Sequence, residues 1–376
     1  MGKRELLLVV GFLILGVVVY QATSAPAGPD QRGLFASFSR LVDSTRREMR
    51  GNRAVAERTA VSSHAIDESV TELRISEYVR EVHVSGEDRA DVEASLHVRS
   101  NAYDDREARE TADATVLLTE RAASSLLMRI DYPDPGRQHV TLRVKVPARL
   151  HVRIESRPDT LAIADVASVE AANAGGTTTI QRIPGQVVVS HQSGAATIED
   201  VSSLRFTGRR SRLTVRDVRG EADVQIDQGG SVAASGLAGR IAVQSRNAEV
   251  LLTDPAPTSG PVRIDAVGGS VAVEGLGTEA RIDSRNARVD VTMRRAAPVA
   301  IYSAGGPVAL TPPPSAYTLD LVATNGRITP DNVGAELGLE TTRTPSEERA
   351  AGPVGGGGPT ITIRATRADV ALRRPQ

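Results

Sequence analysis

Residues 229–252, GGSVAASGLAGRIAVQSRNAEVLL, align without a gap on residues 268–291, GGSVAVEGLGTEARIDSRNARVDV, and 12 of the 24 positions are identical at this shift of 39. Self-similarity at a fixed period marks a stacked array, in which each unit buries its apolar face against its neighbours. The underlying period is finer. Apolar or small residues recur at Ile163, Ile180, Ile198, Val215, Ala234, Leu252, Val273, Val291 and Leu310, about 18 residues apart. Another apolar residue follows three positions after many of them, as at Val166, Ile183, Val201, Val218, Leu237 and Leu276, and then often a glycine. Short runs such as Ala222–Ile226 and Ile241–Val243 alternate with period two, the pattern of a strand with one buried face. Each unit therefore holds two short strands and two corners. The corners carry Gly229-Gly230, Gly268-Gly269, Gly305-Gly306 and Asn325-Gly326, or Ser-Arg-Asn-Ala at 245–248 and 284–287. Glycine and asparagine tolerate the left-handed backbone that a sharp bend requires. The predicted fold is all-β: a single-chain parallel β-solenoid of about 18 residues per coil, with an N-terminal strand-rich cap and an N-terminal hydrophobic helix.

Composition narrows the chemistry. The chain of 376 residues has no cysteine, which removes disulfides, thiol catalysis and thiolate metal sites. A formal net charge of −1 supplies no global field toward nucleic acid or an acidic partner. Between Pro158 and Glu340 the only aromatics are Phe206, Tyr302 and Tyr317, too few for a base-stacking platform or a continuous sugar-stacking surface, so no nucleic-acid partner is expected.

The N-terminus points out of the cytoplasm. Lys3 and Arg4 precede an apolar run from Leu6 to Tyr20, and Ala25-Pro26-Ala27 has the form of a cleavage site. Residues 1–27 thus read as a signal anchor or a signal peptide. The partner of Leu6 to Tyr20 is the membrane, and the remainder is placed in the periplasm or at the cell surface, or secreted if the signal is cleaved. Residues 28–70 read as a linker with an amphipathic helix, from the spacing of Leu34, Phe38, Leu41, Val42, Thr45 and Met49. Residues 71–157 read as a β-rich capping module with one helix over Asp104–Asp113, and 158–342 as the solenoid. Residues 343–359, RTPSEERAAGPVGGGGP, read as a flexible Gly/Pro loop, and 360–376 as a closing C-terminal strand.

No metalloprotease, nucleophile-elbow, phosphate-loop or calcium-repeat motif occurs. The six histidines are dispersed and read as exposed strand or loop residues, so no metal or cofactor is expected. Asp227, Asp265 and Asp283 precede corners; two acids on neighbouring coils could act as acid and base on a glycosidic bond, but they read first as turn residues bonding nearby backbone amides. No catalytic residue is assigned. The remaining candidate is an anionic-ligand surface of Arg246, Asn247, Arg285 and Asn286, which occupy equivalent corners two coils apart.

Val144-Lys145-Val146-Pro147 followed by Leu150-His151-Val152-Arg153-Ile154, with corners such as Ser193-Gly194 and Gly229-Gly230, resembles the bacterial putative-adhesin family, a domain of unknown function built of β-solenoid repeats. The resemblance spans about residues 72–340 and implies a non-enzymatic cell-envelope protein whose solenoid serves as a binding or scaffold surface for an envelope polymer or protein. Two alternatives stand beside it: a self-assembling structural solenoid of the bactofilin kind, and a polysaccharide-active β-helix enzyme.

Overall fold

The computed structural model describes residues 54–133, 136–173, 175–255, 260–330 and 332–374. The predicted N-terminal hydrophobic helix and the amphipathic segment around Leu34–Met49 lie outside the described residues. Among the described residues no helix is long and apolar enough to cross a membrane.

The described chain is mostly β, with 25 strands joined in one hydrogen-bonded sheet. It divides into two units. In the smaller, of which residues 54–56 and 101–109 are described, Ala54, Ala102 and Ala108 pack together. There Asp104 opens the helix Asp105–Ala114, its Oδ1 accepting the Glu107 amide at 2.8 Å.

The larger unit, residues 57–100 and 110–376, is a parallel ladder with two faces. We call each successive pair of strands, one per face, a rung. On one face Leu204, Ala222, Ile241, Val262, Ala280 and Val299 are register partners in turn. On the other, Val215, Ala234, Leu252, Val273, Val291 and Leu310 pair in turn, and so do Ile163, Ile180 and Ile198. The row on the second face is the one that the 18-residue spacing predicted. Alternation places all of them inward, and all are buried. The apolar side chains of one rung thus rest on those of the next, and no rung can bury its core alone.

Both corners bend through left-handed residues, and here the 39-residue period finds its cause. At the first corner Asn247 (φ 54°) is followed one rung on by Gly268 (φ 69°), and Asn286 (φ 54°) by Gly305 (φ 82°). A Cβ on Gly268 would fall on Asn247 Oδ1, and one on Gly305 on Asn286 Oδ1. The second corner repeats the arrangement with Asp217 before Gly236 and Asp254 before Gly275. From Asp217 to Gly305 a corner side chain that leans over the next rung meets glycine there, so the sequence alternates and its repeat is two rungs long; before it, Asp165, Arg182, Asp200 and Asp217 turn the second corner in successive rungs without a glycine, and the two-rung repeat is absent.

Chain order and rung order part at both ends. Strand Glu72–Ile75 lies between Ser125–Asp131 and His151–Ile154, and Glu81–Glu87 lies between Gln138–Pro147 and Thr160–Ala164. The span predicted as a separate cap, 71–157, thus contributes parallel rungs of its own. At the other end Thr360–Thr366 lies between Val299–Ala304 and Tyr317–Thr324, so the predicted closing strand is an inner rung. Residues 343–359, predicted as a loop, contain strand Glu347–Val354, antiparallel to Tyr317–Thr324 and paired in turn with Glu340–Arg343. Its glycines and prolines cluster after Ala351, leaving Glu347–Ala350 free to pair. Within the predicted linker, Ala54–Ala65 is a strand, because its alternate positions are shielded. Antiparallel strands Val116–Arg121 and Asp91–Ala102 flank the first rung, as Glu347–Val354 flanks the last.

Candidate functional site

Period-two alternation that buries Phe206, Val224, Val243, Ile264 and Ile282 turns their neighbours outward. Three outward rows result on the first face. The middle row runs Thr207, Gln225, Gln244, Asp265, Asp283, Tyr302, Arg364 in register. One flanking row runs Arg205, Asp223, Ala242, Arg263, Arg281. The other contains Arg209 beside Asp227, then Arg246, Val267, Arg285 and Ala304. All but Arg205, Asp223 and Ala242 line an open groove of about 880 Å³, along which six arginines face three aspartates.

The electrostatics differ across the groove. Arg281 donates to both oxygens of Asp283, at 2.7 and 3.2 Å, and Arg263 to Asp265 at 3.3 Å. The Asp283 carboxylate, with Asp265 and Tyr302 adding to it, holds the Arg281 guanidinium pKa above its ordinary value. Arg281 also lies over the Tyr302 ring, 4.9 Å from its centroid, and leaves that ring 39% exposed. At the far end Asp320 binds Arg364, which holds its carboxyl below the usual range. On the opposite bank Arg209, Arg246 and Arg285 are exposed, and their side chains make no hydrogen bond or ion pair with the described residues, while the Asp227 carboxylate stands in the same row beside Arg209.

The structure separates the four predicted ligand residues. Arg246 and Arg285 line the groove on either side of Val267, whereas Asn247 and Asn286 turn away at the corner and lean over the following glycine. The asparagines thus shape the bend. Asp265 and Asp283 do stack as register partners, each engaged by an arginine two residues earlier; Asp227 stands in the other row and accepts the Gln228 amide at 2.9 Å. Arg209, Gln225, Gln244, Arg281 and Tyr302 were not singled out from sequence. Counting outward positions from each anchor at the register offset would have found them.

His191 departs from its predicted exposed place. It is 1% exposed, with Nδ1 2.9 Å from Ser211 Oγ and its ring centroid 6.2 Å from that of Phe206. Burial lowers its pKa, and Nε2 has no partner.

No family model and no curated protein matches this chain. Among solved structures, a putative adhesin of Parabacteroides merdae aligns at 8% identity and a TM-score of 0.31, covering 86% of this chain and 99% of its own. A putative adhesin of Parabacteroides distasonis aligns at 9% identity and 0.30, covering 84% and 97%. A putative cell adhesion protein of Clostridium sporogenes aligns at 8% and 0.19, covering 85% and 100%. Scores this low transfer neither a fold nor a role.

Proposed function

We propose that this chain is a β-solenoid of the cell envelope, adhesin-like and non-enzymatic, which offers its first face as a binding or scaffold surface. In this reading Leu6 to Tyr20 tether it to the membrane and the ladder stands in the periplasm or at the cell surface. The observation that carries the reading is the groove itself, a continuous polar strip across successive rungs with one bank of unpaired arginines. A strip of this kind suits an extended ligand that makes the same contact many times.

The two alternatives meet specific obstacles. Polymerisation end to end requires open terminal rungs, and antiparallel strands Val116–Arg121 and Glu347–Val354 lie against the terminal rungs of the first face. Glycosidic cleavage requires one carboxyl that donates a proton and one free to act as base or nucleophile, and Asp265 and Asp283 are each already engaged by an arginine, Arg263 and Arg281. An array of envelope polysaccharides, scored for both retention and product release, tests the reading. Retention without release is expected. Turnover that Asp265→Asn or Asp283→Asn abolishes would replace it with the enzyme.

A further inference from the structure

Resting on that reading, we infer that the groove binds a linear anionic polysaccharide carrying one acidic group per disaccharide. The spacing of the free arginines carries the inference. Arg209 pairs with Asp227, and Arg246 pairs with Val267, which pairs with Arg285. Arg246 and Arg285 therefore stand two rungs apart, and Arg209 stands two rungs before Arg246. At the strand separation of a sheet, two rungs advance about 10 Å. That is close to the advance of two sugar rings in an extended chain and longer than the charge spacing of a polyuronate with an acid on every ring, or of a polyphosphate.

Neither residue between the arginines offers a cation: Asp227, between Arg209 and Arg246, is a carboxylate that would repel a second acidic group there. Val267 is 42% exposed and uncharged, and it faces the ligand where a polymer acidic on every ring would place a second charge. The middle row offers Gln225, Gln244 and Thr207, whose amides and hydroxyl donate to and accept from sugar hydroxyls. Asp265 and Asp283, held by Arg263 and Arg281, remain acceptors for hydroxyls, and their paired charge does not repel an anion as a bare carboxylate row would. The corners set the spacing of two of the three: Asn247 and Asn286 each lean over a glycine in the next rung, so Ser-Arg-Asn-Ala at 245–248 and 284–287 places Arg246 and Arg285 two rungs apart, while Arg209 lies outside that motif.

The test compares four probes with the full chain in detergent, by fluorescence anisotropy at low salt: hyaluronan decasaccharide, with one carboxylate per disaccharide; polygalacturonate, with one per ring; polyphosphate; and neutral dextran. Hyaluronan is expected to bind best and dextran not at all. Arg246→Ala with Arg285→Ala should weaken hyaluronan roughly tenfold or more, and the loss should shrink as salt screens the charges. Val267→Arg, on the exposed surface, should shift the preference toward polygalacturonate. Equal binding of dextran, a preference for polygalacturonate or polyphosphate in the unmodified chain, or indifference to the double arginine variant would each overturn the ligand class. A neutral polymer lost on Gln244→Ala would overturn this inference alone, whereas absence of binding to any envelope polysaccharide would overturn the binding-surface reading as well.

Discussion

The corner alternation makes a quantitative prediction about Asn247 and Gly268. Gly268 has φ of 69°, where an L side chain costs about 1–2 kcal/mol. Its Cβ would also fall inside van der Waals contact with Asn247 Oδ1, which is the end of a side chain and can be driven off its rotamer for about 1 kcal/mol. Gly268→Ala should therefore destabilise by about 2–3 kcal/mol. Asn247→Gly alone should change little, because asparagine and glycine both accept the left-handed bend. In the double variant the collision is gone and only backbone strain remains, so the two substitutions should couple by about 1 kcal/mol. Gly269→Ala is the control. Its Cβ would strike the carbonyl oxygen of Ala248, which is backbone, so Asn247→Gly cannot relieve it. Urea unfolding followed by circular dichroism measures the global effect. Amide exchange in Ile241–Thr253 and Val262–Leu276 localises it, since stacked repeats need not unfold in one step. Additive costs for Asn247→Gly and Gly268→Ala, or equal rescue of Gly269→Ala, would refute the account of the two-rung period.

Other outcomes follow from the same architecture. Phe206 is wholly buried, and Phe206→Ala should cost about 3–5 kcal/mol in urea unfolding; a cost under about 1 kcal/mol would mean the core closes around the gap. His191 has a pKa depressed below 6.5 by burial, so near that pH the unfolded chain takes up a proton that the folded chain refuses. Stability is therefore complete above about pH 6.5 and falls as pH drops toward the folded pKa. His191→Gln should flatten the difference in urea midpoint between pH 7.5 and pH 5.5, and an unchanged difference would remove His191 as its source. A chain ending at Pro359 loses the strand that joins Val299–Ala304 to Tyr317–Thr324, and light scattering should show association through the two bared edges; a stable monomer would contradict that placement.

Much of the ladder was legible because one kind of information repeats along it. Ile163, Ile180, Ile198 and their successors face inward at a constant offset, so spacing alone identifies which residues stack. The same alternation is silent about which strand lies beside which. Leu73 and Ile75 have the pattern of any half-buried strand, and only the three-dimensional pairing puts them between Leu126–Met128 and Val152–Ile154. Glu347–Ala350 was hidden by the glycine-rich composition of residues 352–358, and His191 by the habit of reading a lone histidine as exposed. Of the candidate site, Arg246 and Arg285 were visible because they belong to the repeated motif. Tyr302, Gln225 and Gln244 were not, because outward positions differ from rung to rung and acquire meaning only when the register sets them in one row.

The exchange of rung order at the two ends bears on how the chain is completed during synthesis. Tyr317–Thr324 emerges before Thr360–Thr366 yet docks beyond it, so on this face the last rung has no seat on the ladder until Thr360–Thr366 is in place. The order in which the strands are made is therefore not the order in which they can dock.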